Sequence, residues 1–524
     1  MPHEEEDTMR KLAIAMLCAA LFLLLAQPRP ATADNNFGIT PEKKLAKTLE
    51  ELADVCFECG DTAKGKGLYT YARSYFNYGL MYDPDHKKIR KTMGYKKKKG
   101  EWILEEDMVP LTDKINEAKR DELTRKLWID TETIRQKAAD ELLEFVKDSE
   151  LDLQQRMLAL WHAARFDPNN REVLKATRSS TSETSYRHQL DDQADTNRIV
   201  WIQRAQKGEK IEERTPYETA TGMNMAKRRT DYLVVHVEIG EKSEPWAEAL
   251  SQYGEACRTR IFELLGTTQP KKPDEDPKRL HYSVFSDRER FARFVDKCSG
   301  IPDASERKVR GEQSGGTPVY NPYGAVWFYP RLENDFGLRD GLAHDLAYKE
   351  IVRNTGGEQF YWLLRGFAYQ VSTQMNGSIH SKFFATKSTG VIDTGGAEAL
   401  PGFGDSPAGW RLMVGMELAA GTALTLTDLC KGRPQDYTNR EMAAAYCLTD
   451  YLLHEKKEKL AAFLDSAYKE FIARYKEKKN PEDALELMNR LLESLEMNEQ
   501  EFMDAFRIWA LANYFDLNSA EEGK

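Results

Sequence analysis

The chain has 524 residues, of which 41% are hydrophobic, 31% charged and 10% aromatic, and its formal net charge is −10. That composition excludes a disordered or low-complexity chain, and the length allows two or three domains, each with its own core. The acidic balance makes nucleic acid an unexpected partner, because there is no basic excess to neutralise phosphates.

Arg10 and Lys11 precede an apolar run, Leu12–Ala26, which is followed by Gln27, two prolines and Ala31-Thr32-Ala33. A short basic stretch, an apolar core and an A-x-A site mark a secretory signal peptide, expected here over residues 1–33. The run is short for a bilayer span, so no transmembrane anchor is expected after cleavage. Acidic residues from Glu4 to Asp7 are unusual ahead of such a core and point to Met9 as the start. The expected location is secreted or periplasmic.

Six cysteines follow: Cys56, Cys59, Cys257, Cys298, Cys430 and Cys447. An even number in an exported chain permits disulfides, whose pairing the sequence leaves open. Cys56 and Cys59 form a C-x-x-C, but Asp54 and Glu58 flank it, and nearby carboxylates disfavour a reactive thiolate. Packing or a plain disulfide is expected there, not redox chemistry.

Residues 34–178 read as helices with little strand signal. Two stretches 84 residues apart match each other: Tyr78 to His86, with Asp83-Pro84-Asp85, and Trp161 to Asn170, with Asp167-Pro168-Asn169. Each predicts a helix end, a turn and a new helix, with Asp as the N-cap and proline in the first turn. The pair resembles the joint between tetratricopeptide-type helical hairpins, in an interrupted array. That resemblance implies a groove for a peptide or protein partner; a helical spacer without a ligand is the alternative.

Between the two lie Lys96, Lys97, Lys98 and Lys99, bracketed by Gly94 and Gly100, which predicts a small hairpin with an exposed tip. With Lys87, Lys88, Arg90 and Lys91 they make eight cations in 13 residues. Such a patch could dock an anionic surface polymer, although a solvated face is the plainer reading. Residues 179–229 lose all clear period and are expected to be a linker.

From residue 230 to 515 the pattern is a small sheet followed by helices. Strands are predicted at 232–239, 280–285 and 325–329, with helices at about 245–265 and 288–296, and a helical run to the end. Residues 516–524 are a tail. The expected fold class is therefore α+β, mostly α.

Two segments in this half carry candidate chemistry: Leu342 to Tyr348 (LAHDLAY) and Tyr361 to Tyr369 (YWLLRGFAY). The second resembles the W-L-x-E-G-x-A-x-Y helix of gluzincin-type zinc peptidases, through Trp362, Leu363, Gly366, Ala368 and Tyr369. The first stands where that family has its H-E-x-x-H helix. The resemblance implies that His344 fills the first ligand position, that Asp345 replaces the glutamate that polarises water, and that Tyr348 replaces the second histidine. Arg365 replaces the third ligand, a glutamate. A guanidinium stays protonated and has no lone pair to give a metal. No zinc or other cofactor is therefore expected, and the four residues count as vestigial. An ion pair between Asp345 and Arg365 is expected to hold the two helices where a metal once did.

The loop from Asn376 to Asp405 is rich in glycine and, in a peptidase fold, would lie near the cleft. His281 and His380 belong to other segments, and G-x-S-x-G, P-loop and dinucleotide motifs are absent from the sequence. The expected function is a non-catalytic exported binding or scaffold protein, with the helical region and the vacated cleft as its surfaces. The alternative is a hydrolase with an atypical metal site or none.

Overall fold

The computed structural model describes residues 40–115, 117–179, 196–238, 240, 243–267, 279–320, 323–329, 336–376, 406–433 and 437–517. The expected signal peptide, most of the 376–405 loop, His380 and the extreme C-terminal residues lie outside them. The chain divides into two compact units, Met1–Gln155 and Arg156–Lys524. The division thus falls earlier than the boundary expected at 178, and residues 156–178 go with the second unit.

The first unit opens with α1 (Pro41–Gly65) and α2 (Tyr69–Tyr82). Pro41 begins α1, and Leu45, Leu49, Leu52, Cys56, Cys59 and Ala63 recur at helical spacing along its buried face. Both thiols of the C-x-x-C are fully buried, and none of the six cysteines in the described residues is in a disulfide. Burial pushes the Cys59 thiol up to about 12, so it is a packing group. After α2 come α3 (Lys87–Met93), β1 (Tyr95–Lys98), β2 (Glu101–Leu104), α4 (Glu117–Asp130) and α5 (Glu132–Lys147).

The Asp-Pro joints differ from expectation in who caps the next helix. Asp83 Oδ1 accepts from Asp85 N at 2.9 Å and stays in the turn. The cap is His86, whose Nδ1 accepts from Ile89 N at 3.3 Å. In the second joint the cap is Asn170, accepting from Glu172 N at 2.9 Å. Proline fixes the turn ahead of the cap, so the capping group falls on the fourth residue of each motif. The two joints also lie in different units.

The second unit contains α6 (Leu153–Phe166), which begins at the division, then α7 (Arg171–Ala176), α8 (Thr196–Arg204), β3 (Glu209–Lys210), α9 (Pro216–Thr221), β4 (Met225–Arg229) and β5 (Leu233–Glu238). It continues with α10 (Ser243–Leu265), β6 (Leu280–Phe285), α11 (Arg288–Cys298), α12 (Ala304–Gln313), β7 (Gly316–Tyr320) and β8 (Tyr323–Phe328). The stretch expected to be a linker therefore contributes two strands and two helices. Its charged residues hid them: Lys227 sits inside β4 because Glu218 of α9 meets its ammonium at 2.6 Å, with both side chains buried.

The sheet order is β3-β4-β5-β6-β8-β7, with β5, β6 and β8 parallel and the outer pairs antiparallel. On one face Tyr217, Phe285, Phe291, Phe294 and Val326 form a core under α9 and α11. On the other face α10 lies so close that Gly254 meets the Leu233 side chain.

The helical part comprises α13 (Phe336–Thr355), α14 (Tyr361–Asn376), α15 (Pro407–Ala420), α16 (Leu426–Lys431), α17 (Asn439–Glu455), α18 (Lys457–Lys476), α19 (Ala484–Leu495) and α20 (Glu499–Tyr514). Twenty helices and a small mixed sheet among the described residues make the fold α+β, mostly α. No described helix is long and apolar enough to cross a membrane.

Helix α14 packs between α13 and α17, and Gly366 is what allows the approach to α17. A Cβ there would lie 2.2 Å from the Ala445 carbonyl oxygen and 2.2 Å from Thr449 Oγ1. Backbone cannot yield as a flexible side chain can, so Gly366→Ala is expected to destabilise the second unit by about 2–3 kcal/mol. Unfolding in urea, followed by near-ultraviolet circular dichroism, measures this; an unchanged midpoint would contradict the packing described.

Candidate functional site

The site is the contact between α13 and α14. Leu338, Leu342, Ala343, Leu346, Ala347 and Ile351 are buried and fix which face of α13 turns inward. Their phase carries Asp340, His344 and Tyr348 along as one stripe, each a helical turn from the next. On α14 the residues Trp362, Leu363, Leu364, Phe367, Ala368 and Tyr369 are all fully buried. Arg365 is the partly exposed member of that stretch.

The structure brings His344, Tyr348 and Arg365 together. Arg365 Nη1 lies 2.8 Å from His344 Nε2. Because a guanidinium only donates, the imidazole nitrogen must be the acceptor, and the ring is neutral. Burial, then the Arg365 charge, holds the His344 pKa well below the usual histidine value. The guanidinium also sits over two rings, 4.9 Å from the Tyr348 centroid and 4.8 Å from that of Tyr361. Tyr369 packs edge-on against His344, with centroids 5.0 Å apart. Burial raises the Tyr348 hydroxyl far above its ordinary range, so it stays protonated.

Asp345 does not join this group. Its carboxylate pairs with Lys349 on its own helix, Nζ to Oδ2 at 3.7 Å, and not with Arg365 as expected. The reason is spacing: Lys349 is one turn on, whereas Arg365 is engaged by His344 and the two tyrosine rings. Lys349 also donates to the Gly324 carbonyl at 2.7 Å, which bolts α13 to β8. Burial raises the Asp345 pKa against the pull of Lys349, and burial lowers that of Lys349 against the pull of Asp345.

Three residues that the motifs did not single out complete the site: Lys349, Tyr361 and Asp340. Asp340 is fully buried, and its Oδ1 accepts from Asn376 Nδ2 at 3.4 Å. The signal for Asp340 and Lys349 was there, as residues four positions from His344 and from Asp345. Tyr361 had no such signal. His281 lies elsewhere, on β6, where its Nδ1 is 3.0 Å from His236 Nε2 in a buried pair.

The donor set does not fit a zinc ion. Zinc would need the His344 Nε2 lone pair, which Arg365 already engages, and the third-ligand position holds a fixed cation. Tyr348 is held in its protonated form, and the Asp345 carboxylate faces Lys349. What the arrangement can do is hold two helices by a cation on a neutral imidazole between aromatic rings.

Comparison with protein-family models, with curated proteins and with solved structures finds no match to this chain.

Proposed function

We propose that this is a non-catalytic exported binding or scaffold protein. Its second unit would be a gluzincin-like peptidase fold whose zinc chemistry has been replaced by an arginine–histidine contact, and its helical first unit a tetratricopeptide-like partner surface. The 2.8 Å contact between Arg365 and His344 carries the proposal. It occupies the lone pair on which metal chemistry would depend, and it does so with a group that cannot be a ligand. A protein or peptide is the expected partner class, held in the cleft or on the helices.

Metal content and proteolysis test this together. The purified protein, exposed to zinc and then desalted, is expected to retain far less than one equivalent and to leave denatured casein intact. Stoichiometric zinc with chelator-sensitive casein cleavage would overturn the proposal in favour of a hydrolase with an atypical metal site.

A further inference from the structure

We propose that the β1–β2 hairpin of the first unit is a docking tip for an anionic lipid surface. Lys99 and Gly100 both have positive φ, 51° and 92°, as the two central residues of a tight hairpin turn require. The strands beyond it are only four residues long, so the element is a narrow tip. Register places Lys96 opposite Ile103 and Lys97 opposite Trp102, so lysines and apolar side chains share each face.

The apolar residues are uncovered. Ile103 is 45% exposed, Leu104 46%, Met108 59% and Leu111 73%, a third of the large exposed hydrophobic residues described, within nine positions. The chain after β2 turns back along the end of α3, with Glu105 N donating to the Gly94 carbonyl and Met108 N to that of Met93. Met108 therefore lies beside the basic last turn of α3, next to Gly94.

Charge completes the pattern. Lys96 and Lys98 both reach Glu105, Lys97 reaches Asp85 at 3.6 Å, and Lys88 reaches Asp54 at 3.2 Å. Lys87, Lys91 and Lys99 have no ion partner among the described residues and are free to meet phosphates. The other pairs are on the surface and readily exchanged. Cations around exposed apolar side chains match a lipid interface, where headgroups take the charge and the acyl boundary takes the apolar groups. A soluble polyanion would leave Ile103, Leu104 and Met108 without a role.

The test is co-sedimentation of the full chain with vesicles of phosphatidylcholine alone or mixed with phosphatidylglycerol. Binding is expected to be at least tenfold stronger to the mixed vesicles and to fall as salt is raised. It should drop at least tenfold both in Lys87→Glu/Lys91→Glu/Lys99→Glu and in Ile103→Ser/Leu104→Ser. All five sites are on the surface, so both variants should keep the wild-type circular dichroism and melting profile. Equal binding to the two vesicle types would overturn the proposal. So would a preference for the mixed vesicles that the lysine variant loses and the apolar variant retains, which is the signature of a purely ionic polymer site.

Discussion

Replacing Arg365 with alanine is expected to lower the stability of the second unit by about 3 kcal/mol. The change leaves His344 Nε2 as a buried acceptor without its donor, a loss of ~1–3 kcal/mol. It also removes a cation from over the Tyr348 and Tyr361 rings, each contact worth ~1 kcal/mol at a partly buried site. Relief of the desolvation of the guanidinium works in the other direction and keeps the total below that for breaking a buried ion pair, ~3–5 kcal/mol. Arg365→Lys should fall between the two, because an ammonium keeps the charge without the planar fork. Urea unfolding of the three proteins gives the order. A variant as stable as wild type would mean that Arg365 fills space without holding the helices. In the same variant the His344 pKa should rise, since the nearby positive charge that depresses it is gone.

The second large effect is a loss of stability in mild acid. His162, His236 and His344 are buried in the second unit, and their pKa values are lowered, that of His162 to about 3 and the other two well below the ordinary value. Burial is the first cause in each, with Arg165, His281 and Arg365 respectively adding to it. A base with a depressed folded pKa binds its proton more readily unfolded than folded. Stability is therefore full above the unfolded value, about 6.5, and falls as pH drops below it. Each such histidine contributes ~1.4 kcal/mol per pH unit, so three set a limit of about 4 kcal/mol per unit.

Buried carboxyls oppose part of this fall. Glu255, Asp345 and Glu417 have raised pKa values, first through burial, so in the folded protein they take protons before their unfolded counterparts do. They return some stability below their raised values, which leaves the histidine effect clearest just under pH 6.5. Urea midpoints from pH 8 to 5 measure the slope, and His162→Leu should remove about a third of it. A midpoint that stays flat from pH 6.5 to 5 would contradict the buried, neutral state of these rings.

How much of this was legible depended on whether a residue acts through its neighbours in sequence or through distant ones. The parallel strands Leu233–Glu238 and Leu280–Phe285 and the helix Ser243–Leu265 were clear, because apolar runs and helical spacing are local. The strand Met225–Arg229 was not, because its Lys227 reads as surface until Glu218 is brought beside it by the fold. The caps of the Asp-Pro joints were misplaced by a short step, since either Asp or the residue after the turn can supply an acceptor. At the candidate site the proximity of His344 and Tyr348 follows from helix periodicity, whereas Arg365, on the next helix, was expected beside them only from the resemblance of its segment to a zinc-peptidase motif. The partner of Arg365 was not legible: Asp345 was expected, but Asp345 pairs with Lys349 one turn along its own helix and Arg365 meets His344.

The most direct measurement is a crystal structure of the protein grown in the presence of zinc, with anomalous data collected at the zinc edge. The Arg365–His344 contact should persist at hydrogen-bond distance, with no anomalous peak between α13 and α14. A peak bonded to His344 Nε2, with the Arg365 side chain turned away, would contradict the proposal that this cleft has exchanged metal chemistry for an arginine–histidine contact.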